Sequence, residues 1–185
     1  MSTQLEPIVT VADLDAMPDD GNHYEIIAGE LFVSKAPGIA HQRVFGDLFD
    51  QLRSYLKEHP IGEVIAAPGV VMSGADAVIA DLVFIRNERV REVITGDRIT
   101  TAPDLVVEIL SSEPESNRRD RIAKRQLYGK FGVQEYWILD PEKKNVEVYV
   151  FTRNALRLAS TLGVSDVLTS ATLAGLCCPI SSLFR

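Results

Sequence analysis

The stretch Pro-Asp-Leu-Val-Val-Glu-Ile-Leu-Ser, residues 103–111, decides the fold of this chain. Residues 104–110 within it are mostly apolar and β-branched, and turn-forming residues flank them, which is typical of a strand covered on both faces. Glu108 places a carboxylate inside this apolar run. Because side chains alternate along a strand, Glu108 lies on the same face as Val106 and Leu110. An unpaired charge there would be costly, so we expect Glu108 to have a partner.

The segment that follows the strand has the spacing of a helix. At 100° per residue its apolar side chains form one stripe, made of Ala123, Leu127, Tyr128 and Phe131. Lys124 falls in the middle of this stripe, and Asp120, one turn earlier, lies on the same face. In one interpretation, Lys124 extends out of the stripe and pairs with Asp120. In the other, Lys124 meets Glu108 in a polar pocket that forms the functional site, and Lys124→Met would then abolish activity with folding intact.

The composition predicts a single globular domain over residues 1–185, because 46% of the chain is apolar and 24% is charged. The N-terminal residues lack the basic and apolar segments of a signal peptide, and no apolar run is long enough to span a bilayer. We therefore expect a cytoplasmic protein that does not bind a membrane. Cys177 and Cys178 are adjacent, which disfavours both a disulfide and a zinc site and predicts buried thiols.

The charge distribution is uneven along the chain. A net charge of −7 argues against a general avidity for nucleic acid. Between Arg118 and Lys130, however, six basic residues accompany one acid. A basic helix beside a polar pocket could hold an anion such as phosphate, and the alternative is an ordinary solvated helix face.

The remaining elements follow from local patterns. A helix is predicted over residues 10–17, a hairpin over residues 23–34 that turns at Gly29, and a long helix over residues 39–58. Further strands are predicted at 62–67, 70–73, 77–85, 134–139, 146–151 and 156–161. Residues 87–102 should form an irregular surface excursion, and the apolar tail at 173–184 should dock on the body.

A second buried acid, Asp81, interrupts the apolar run 77–85 as Glu108 interrupts its own. Neighbouring strands lie about 4.8 Å apart, so the two carboxylates can converge on one divalent ion such as Mg²⁺ or Mn²⁺. Asp104 lies about 13 Å from Glu108 along the same strand and cannot share that ion. Two carboxylates, a hard cation and the ammonium of Lys124 form a set suited to phosphodiester hydrolysis.

Several stretches of the chain, taken together, resemble a known family. They are Tyr-Glu-Ile-Ile-Ala-Gly-Glu at 24–30, His41, Ala-Asp-Leu at 80–82, Ala-Pro-Asp-Leu-Val-Val-Glu-Ile-Leu-Ser at 102–111, the spaced set Asp120, Lys124 and Tyr128, and Gly-Val-Gln-Glu-Tyr-Trp-Ile-Leu-Asp at 132–140. This combination is similar to the Uma-two-type family of the PD-(D/E)XK, or restriction-endonuclease-like, nuclease superfamily. The resemblance covers roughly residues 24–151.

The resemblance implies an α/β (α+β) fold with a restriction-endonuclease-like core. Such a core is a central mixed β-sheet flanked by helices in the order αβββαβ, here with an N-terminal hairpin and extra C-terminal strands. The resemblance also implies that Asp81 and Glu108 are the metal ligands and that Lys124 is the catalytic lysine. The chain departs from the pattern at Ala80, where proline is usual, and at Leu110, where the lysine normally follows the acid by two. Migration of the lysine from strand to helix is a known variation of this superfamily.

Four residues are accessory candidates for the site: Glu25, His41, Asp120 and Tyr128. His41 lies on the buried side of the long helix near its start, where the alternative role is a hydrogen bond to a backbone carbonyl. Glu25, in the first hairpin, is a candidate accessory ligand together with His41.

Three functions remain open from the sequence. The first is a Mg²⁺- or Mn²⁺-dependent endonuclease acting on DNA, as the resemblance implies. The second is a catalytically silent nucleic-acid or protein-interaction module on the same fold, which the net charge favours. The third is an unrelated enzyme that applies a carboxylate–lysine pair to small phosphorylated substrates. Family habit and the apolar tail also suggest a homodimer.

Overall fold

The computed structural model describes residues 8–185. These residues form mainly β-strands, which are arranged in two mixed sheets. The first sheet has the order β2-β1-β5-β4-β8-β7 and the second has the order β12-β11-β10-β9-β6-β3, while β13 and β14 form a separate pair. The strands are β1 (His23–Ile27), β2 (Glu30–Ser34), β3 (Gly62–Ala66), β4 (Gly69–Ser73), β5 (Asp76–Ile79), β6 (Leu82–Arg86), β7 (Ile94–Thr95), β8 (Arg98–Ile99), β9 (Leu105–Ile109), β10 (Glu135–Asp140), β11 (Asn145–Thr152), β12 (Ala155–Leu162), β13 (Val167–Leu168) and β14 (Cys178–Pro179).

The helices are few, and only one of them is long. They are α1 (Val11–Leu14), α2 (Ile39–Glu58), α3 (Val90–Val93), α4 (Pro114–Arg118) and α5 (Arg125–Phe131), with short 3₁₀ turns at Asn87–Arg89 and Ile180–Ser182. A π-helical segment, Arg119–Lys124, joins α4 to α5 without a break. Gly132 ends α5 in the left-handed conformation, with φ of 87°, where a residue without a Cβ is favoured. Among residues 8–185, no helix has the length and apolar character needed to cross a membrane.

The prediction of one central sheet is wrong, because the apolar run 77–85 is divided between two sheets. Ala80 and Asp81 lie outside regular structure, β5 before them belongs to the first sheet, and β6 after them belongs to the second. An uninterrupted apolar run does not reveal this change of sheet, since both halves are buried. Along the chain, α2, β3, β6, β9, the helical segment and β10 still follow one another, with β4 and β5 as an excursion into the first sheet.

Strand β9 is covered on both faces, as its sequence predicts. On one face, Leu105, Val107 and Ile109 pack with side chains of α2 and of the tail. On the other face, Val106 and Leu110 pack with side chains of α5. Tail residues Leu173, Leu176, Ile180 and Leu183 are buried in the first of these clusters, which confirms that the tail docks on the body.

The second sheet sets the positions of the two predicted acids. Strand β6 runs antiparallel to β9 with Leu82 opposite Val107, so Asp81, one residue before β6, lies beside Glu108. Strand β10 runs parallel to β9, with the helical segment as the crossover between them. This crossover carries its own side chains across the face of the sheet that contains Glu108.

Other predictions are confirmed or corrected locally. The hairpin turns at Ala28 and Gly29, which both have positive φ, as a two-residue type I′ turn requires. Thr10 caps its helix, although that helix is shorter than predicted. Residues 87–102 are not irregular, because they contain α3, β7 and β8 and bury Val93 and Ile99.

Both cysteines are free thiols, as expected from their adjacency. Cys178 is buried, but Cys177 is exposed, so the prediction of two buried thiols is correct for one of them. The two side chains differ because residues 178–179 form strand β14 and successive side chains at a strand start point in opposite directions.

Candidate active site

A cleft of about 270 Å³ lies where the edge of the first sheet, the middle of the second sheet and the π-helical segment meet. Its lining includes most of the residues proposed from the sequence, namely Glu25, His41, Asp81, Glu108, Asp120 and Lys124. The lining also includes two loops, residues 34–38 before α2 and residues 111–113 after β9. The structure therefore brings these six predicted residues together in one place.

Asp81 lies at the junction between β5 and β6. Its Oδ2 accepts a hydrogen bond from the backbone N–H of Ile109 at 2.7 Å, which ties Asp81 to the strand that carries Glu108. His41, in the first turn of α2, places its Nε2 at 3.1 Å from both carboxylate oxygens of Asp81. The side chain of Asp81 remains 20% exposed, so this carboxylate can be reached from the cleft.

Glu108 and Lys124 are in direct contact inside the protein, as the second interpretation of Lys124 predicts, and the role of this pocket as the functional site stays a prediction. The Lys124 ammonium lies 3.1 Å from Glu108 Oε1, 2.9 Å from Glu25 Oε1 and 3.8 Å from Asp120 Oδ1. It also donates to the backbone carbonyl of Ile79 at 3.0 Å. Because the Lys124 side chain is only 3% exposed, it does not extend out of the stripe as the alternative predicted, although it does lie near Asp120.

Glu25 anchors this cluster from the first sheet. Its Oε1 accepts hydrogen bonds from Lys124 and from the backbone N–H of Ile79, and its Oε2 lies 3.2 Å from Arg119. Arg119 also lies 3.5 Å from Asp120. Glu25 is thus a counter-ion for two cations, and its suggested role as an accessory metal ligand stays a prediction.

Arg119 was missed by the sequence analysis because of the local helix geometry. On a regular α-helix, Arg119 would point about 140° away from Lys124, five residues later. The π-helical segment Arg119–Lys124 contains more residues per turn, with hydrogen bonds from i to i+5, so residues five apart come to the same side. No signal in the sequence marks that change of pitch.

Two tyrosines support the cluster from below. The hydroxyl of Tyr128 donates to Glu108 Oε1 at 2.8 Å, and the hydroxyl of Tyr136 donates to the backbone carbonyl of Asp120 at 3.0 Å. Their rings lie 5.2 Å apart, and both side chains are fully buried. Tyr136, which the sequence analysis did not select for the site, holds the π-helical segment in place.

The buried cluster contains more carboxyl groups than cations, and the pKa values of these carboxyl groups differ accordingly. Burial raises the pKa of Glu108 well above its usual range, because the loss of water outweighs the attraction of Lys124. Burial raises the pKa of Asp120 in the same way. Burial acts on Glu25 as well, but Lys124 and Arg119 outweigh it and hold the pKa of that carboxyl below its usual value.

Lys124 itself stays charged. Burial alone would lower its pKa, but the carboxylates of Glu108 and Glu25 raise it above the ordinary value. Three buried carboxyls, those of Glu25, Glu108 and Asp120, therefore face the two cations of Lys124 and Arg119. Carboxyl groups therefore outnumber cations in this cluster, and burial raises the pKa of two of them, Glu108 and Asp120.

The basic residues along the helical segment do not form a free cationic surface. Four of the six between Arg118 and Lys130 already have carboxylate partners: Arg119, Arg121, Lys124 and Lys130. Arg125 lies over the ring of Tyr149 at 5.4 Å. The expectation that this helix holds an anion through its unpaired basic residues is therefore not supported.

The cleft contains carboxylate oxygens of the kind that bind divalent ions, although the number of these potential ligands is small. Asp81 and Glu108 lie on adjacent elements, and Asp120 Oδ1 is buried without a hydrogen-bond partner. Within residues 8–185, no three His, Cys, Asp or Glu side chains are arranged to hold a metal by themselves. Asp104 plays no part, because it is paired with Arg89 at 3.0 Å and does not line the cleft.

The fold of this chain is also found in a solved structure. A structure described as "Crystal structure of a putative nuclease belonging to DUF820 from Anabaena variabilis ATCC 29413 at 1.96 A resolution" matches with a TM-score of 0.77. The match covers 95% of this chain and 97% of the other at 19% sequence identity, a level at which the likeness shows the fold alone.

The chain belongs to the Uma2 family, described as "Putative restriction endonuclease", whose family model matches residues 11–181. This confirms the resemblance seen in the sequence. A search of curated proteins finds none with a similar sequence.

Proposed function

We propose that this protein is a metal-dependent endonuclease that hydrolyses phosphodiester bonds in DNA. The observation that carries the proposal is the convergence of Asp81, Glu108 and Lys124, from three separate elements, on one cleft. The family description and the nuclease of the same fold support this reaction class. The order of α2, β3, β6, β9, the helical segment and β10 supports the restriction-endonuclease-like core that the sequence implied.

Asp81 and Glu108 would hold the Mg²⁺ or Mn²⁺ ion. Mg²⁺ is commonly bound through only one or two carboxylates, with water and substrate phosphate completing its coordination, so a two-carboxylate site is sufficient. The excess of carboxyl groups over cations in the cleft also favours a bound cation. When bound, such an ion polarises the phosphate and lowers the pKa of a coordinated water.

The chain's own residues position these ligands and neutralise charge. His41 and the N–H of Ile109 fix the carboxylate of Asp81. The hydroxyl of Tyr128 and the ammonium of Lys124 both donate to Oε1 of Glu108 and fix its position. Neither of them donates to the other carboxylate oxygen of Glu108. Lys124 would stabilise the negative charge that develops on the phosphate during hydrolysis.

One observation favours a second candidate, the catalytically silent interaction module. An ammonium group has three protons to donate, and those of Lys124 already face the Ile79 carbonyl, Glu25 and Glu108. Lys124 can act on a substrate only if it gives up one of these acceptors. The homodimer and the cytoplasmic location proposed from the sequence stay predictions.

Incubation with supercoiled plasmid and with short single-stranded oligonucleotides tests the proposal. Wild-type protein should cleave at least one of these DNA substrates in Mn²⁺ or Mg²⁺ and neither in chelator, and Asp81→Asn should reduce the rate by at least about 100-fold. Asp50→Asn is the matched control, because Asp50 is an exposed residue on α2 that does not line the cleft.

Equal cleavage in chelator, or full activity of Asp81→Asn, would contradict the assignment of Asp81 as a metal ligand. DNA binding without cleavage in any metal would instead support the silent module.

A further inference from the structure

We propose that the cleft acts on a flexible single strand of DNA and not on the interior of a duplex. The inference rests on the proposed nuclease function and specifies its substrate class. It depends on how deeply the reactive groups lie, on the size of the cleft, and on the number of cations available for phosphates.

The reactive groups lie at the bottom of a small recess. The side chains of Glu108 and Lys124 are only 4% and 3% exposed, and Asp81, at 20%, is the accessible member of the set. The cleft volume of about 270 Å³ falls just below the range of about 300–1,000 Å³ typical of pockets that enclose one small ligand. A scissile phosphate must therefore enter between the loops at residues 34–38 and 111–113.

A duplex cannot easily deliver one phosphate into such a recess. Double-stranded DNA is stiff, with a persistence length of about 150 base pairs, so its backbone does not bend sharply at one nucleotide. Drawing one nucleotide of a duplex into an enclosed pocket costs a few kcal/mol of unpairing and unstacking, as it does for enzymes that act on an extruded base. A single strand can enter without that cost.

The cations of the cleft also suit a single strand. Arg119 and Lys124 are neutralised by Glu25, Glu108 and Asp120. Lys35 is exposed at the cleft and has no ion pair within the part of the chain that the structure describes.

Other polar groups that could meet a phosphate there include the hydroxyls of four serines: Ser34, Ser111, Ser112 and Ser116. Duplex-binding proteins neutralise many phosphates at once, often about 6–10, and this cleft offers about one free cation. A separate basic groove contains Arg125 and Arg157 but shares no lining residue with the cleft.

The first experiment compares substrates of one sequence in Mn²⁺: a single-stranded oligonucleotide, its blunt duplex, and the duplex with a central unpaired bubble. We expect the single strand to be cleaved at least about tenfold faster than the duplex, since unpairing costs more than 1.4 kcal/mol. The bubble should restore cleavage within the unpaired segment.

The second experiment measures binding of the same oligonucleotides in chelator by fluorescence anisotropy across a salt series. For the single strand, we expect the slope of log K against log salt to be about −0.7 to −1.4, which corresponds to one or two phosphate contacts. Lys35→Gln should make that slope shallower by about 0.7, because it removes the free cation. Lys57→Gln is the matched control, because Lys57 is exposed on α2 and does not line the cleft.

The outcomes separate this inference from the proposed function. Cleavage of the duplex interior as fast as the single strand, or a steep salt slope equivalent to six or more contacts, would overturn the inference and leave the nuclease intact. Absence of cleavage of every substrate in Mn²⁺ would overturn the proposed function. In that case the binding comparison decides the inference, and equal affinity for single strand and duplex would refute it.

Discussion

Replacement of Lys124 by methionine should destabilise the fold as well as abolish activity. The sequence by itself suggested intact folding, because methionine keeps an unbranched apolar stem on the helix face. The structure changes that expectation, because the ammonium of Lys124 is a counter-ion for both Glu25 and Glu108 inside the protein. Its removal leaves buried carboxylates without their nearest cation.

The size of the effect follows from the burial of the ion pairs. Loss of one partner of a buried ion pair typically costs about 3–5 kcal/mol. For a chain of 185 residues, each kcal/mol lowers the melting temperature by about 2–4 °C. We therefore expect Lys124→Met to melt about 6–20 °C below the wild type at pH 7.5. Because Arg119 remains paired with Glu25 in the variant, the decrease in melting temperature should lie toward the lower end of this range.

The deficit should shrink as the pH falls. In the wild type, Lys124 and Arg119 hold the pKa of Glu25 below its usual value, so its stabilising contribution is present at neutral pH and is lost only in acid. In the variant, the loss of Lys124 should raise the pKa of Glu25 above its unfolded value of about 4.3 and raise further the pKa of Glu108, which burial already raises in the wild type. A raised carboxyl pKa gives stability that is full below the unfolded pKa and is lost as the pH rises through the folded pKa.

Differential scanning fluorimetry between pH 5 and pH 8 tests this prediction. Lys130→Met is the matched control, because Lys130 is on the same helix but 63% exposed, and its loss should cost no more than about 1 kcal/mol. A melting temperature of Lys124→Met within 2 °C of the control at pH 7.5, or a deficit that is equal at pH 5 and pH 8, would refute the assigned role of Lys124 as buried counter-ion.

Two further changes have defined outcomes. Mn²⁺ at ten times its dissociation constant should stabilise the wild type by about 1.4 kcal/mol, roughly 3–6 °C, and Asp81→Asn should erase that shift in a thermal titration. A variant that still responds fully would show that the ion binds elsewhere. Glu135→Ala should lower the free energy of unfolding by at least about 1–3 kcal/mol in urea titration, because it leaves the buried Trp137 Nε1 without an acceptor and removes the oxygen that Ser170 Oγ and Thr172 N–H share. DNA cleavage per folded molecule should not change, since Glu135 does not line the cleft.

The candidate site could be predicted where a single charged residue interrupts the apolar periodicity of its strand or helix. Glu108 and Lys124 each place a charge where the periodicity requires an apolar side chain, and each is buried in the structure. Asp81 was found in the same way, although it lies between two strands and not within one. A buried charge can thus be identified from a single sequence, because the periodicity of apolar residues indicates which positions of an element are buried.

The partners of those charges were less predictable. His41 faces Asp81, and Glu25 faces Lys124 and Arg119, across elements that are far apart in the chain. Periodicity places a side chain on a face of its own element but does not say which element covers that face. The position of Arg119 in the cleft was not predicted for a different reason: the angle of about 100° per residue of a regular α-helix does not apply to a π-helical segment.

The sequence by itself determined the elements whose signals are local. Helix α2 has the predicted bounds, the type I′ hairpin turns where Gly29 permits positive φ, and β9 alternates between two buried faces. Only the tertiary structure decided that the run 77–85 changes sheets and that its break brings Asp81 to Glu108. The physical reason is range: helix and turn preferences act over a few residues, whereas sheet membership and ion pairing depend on strands and side chains that meet only after the chain has folded.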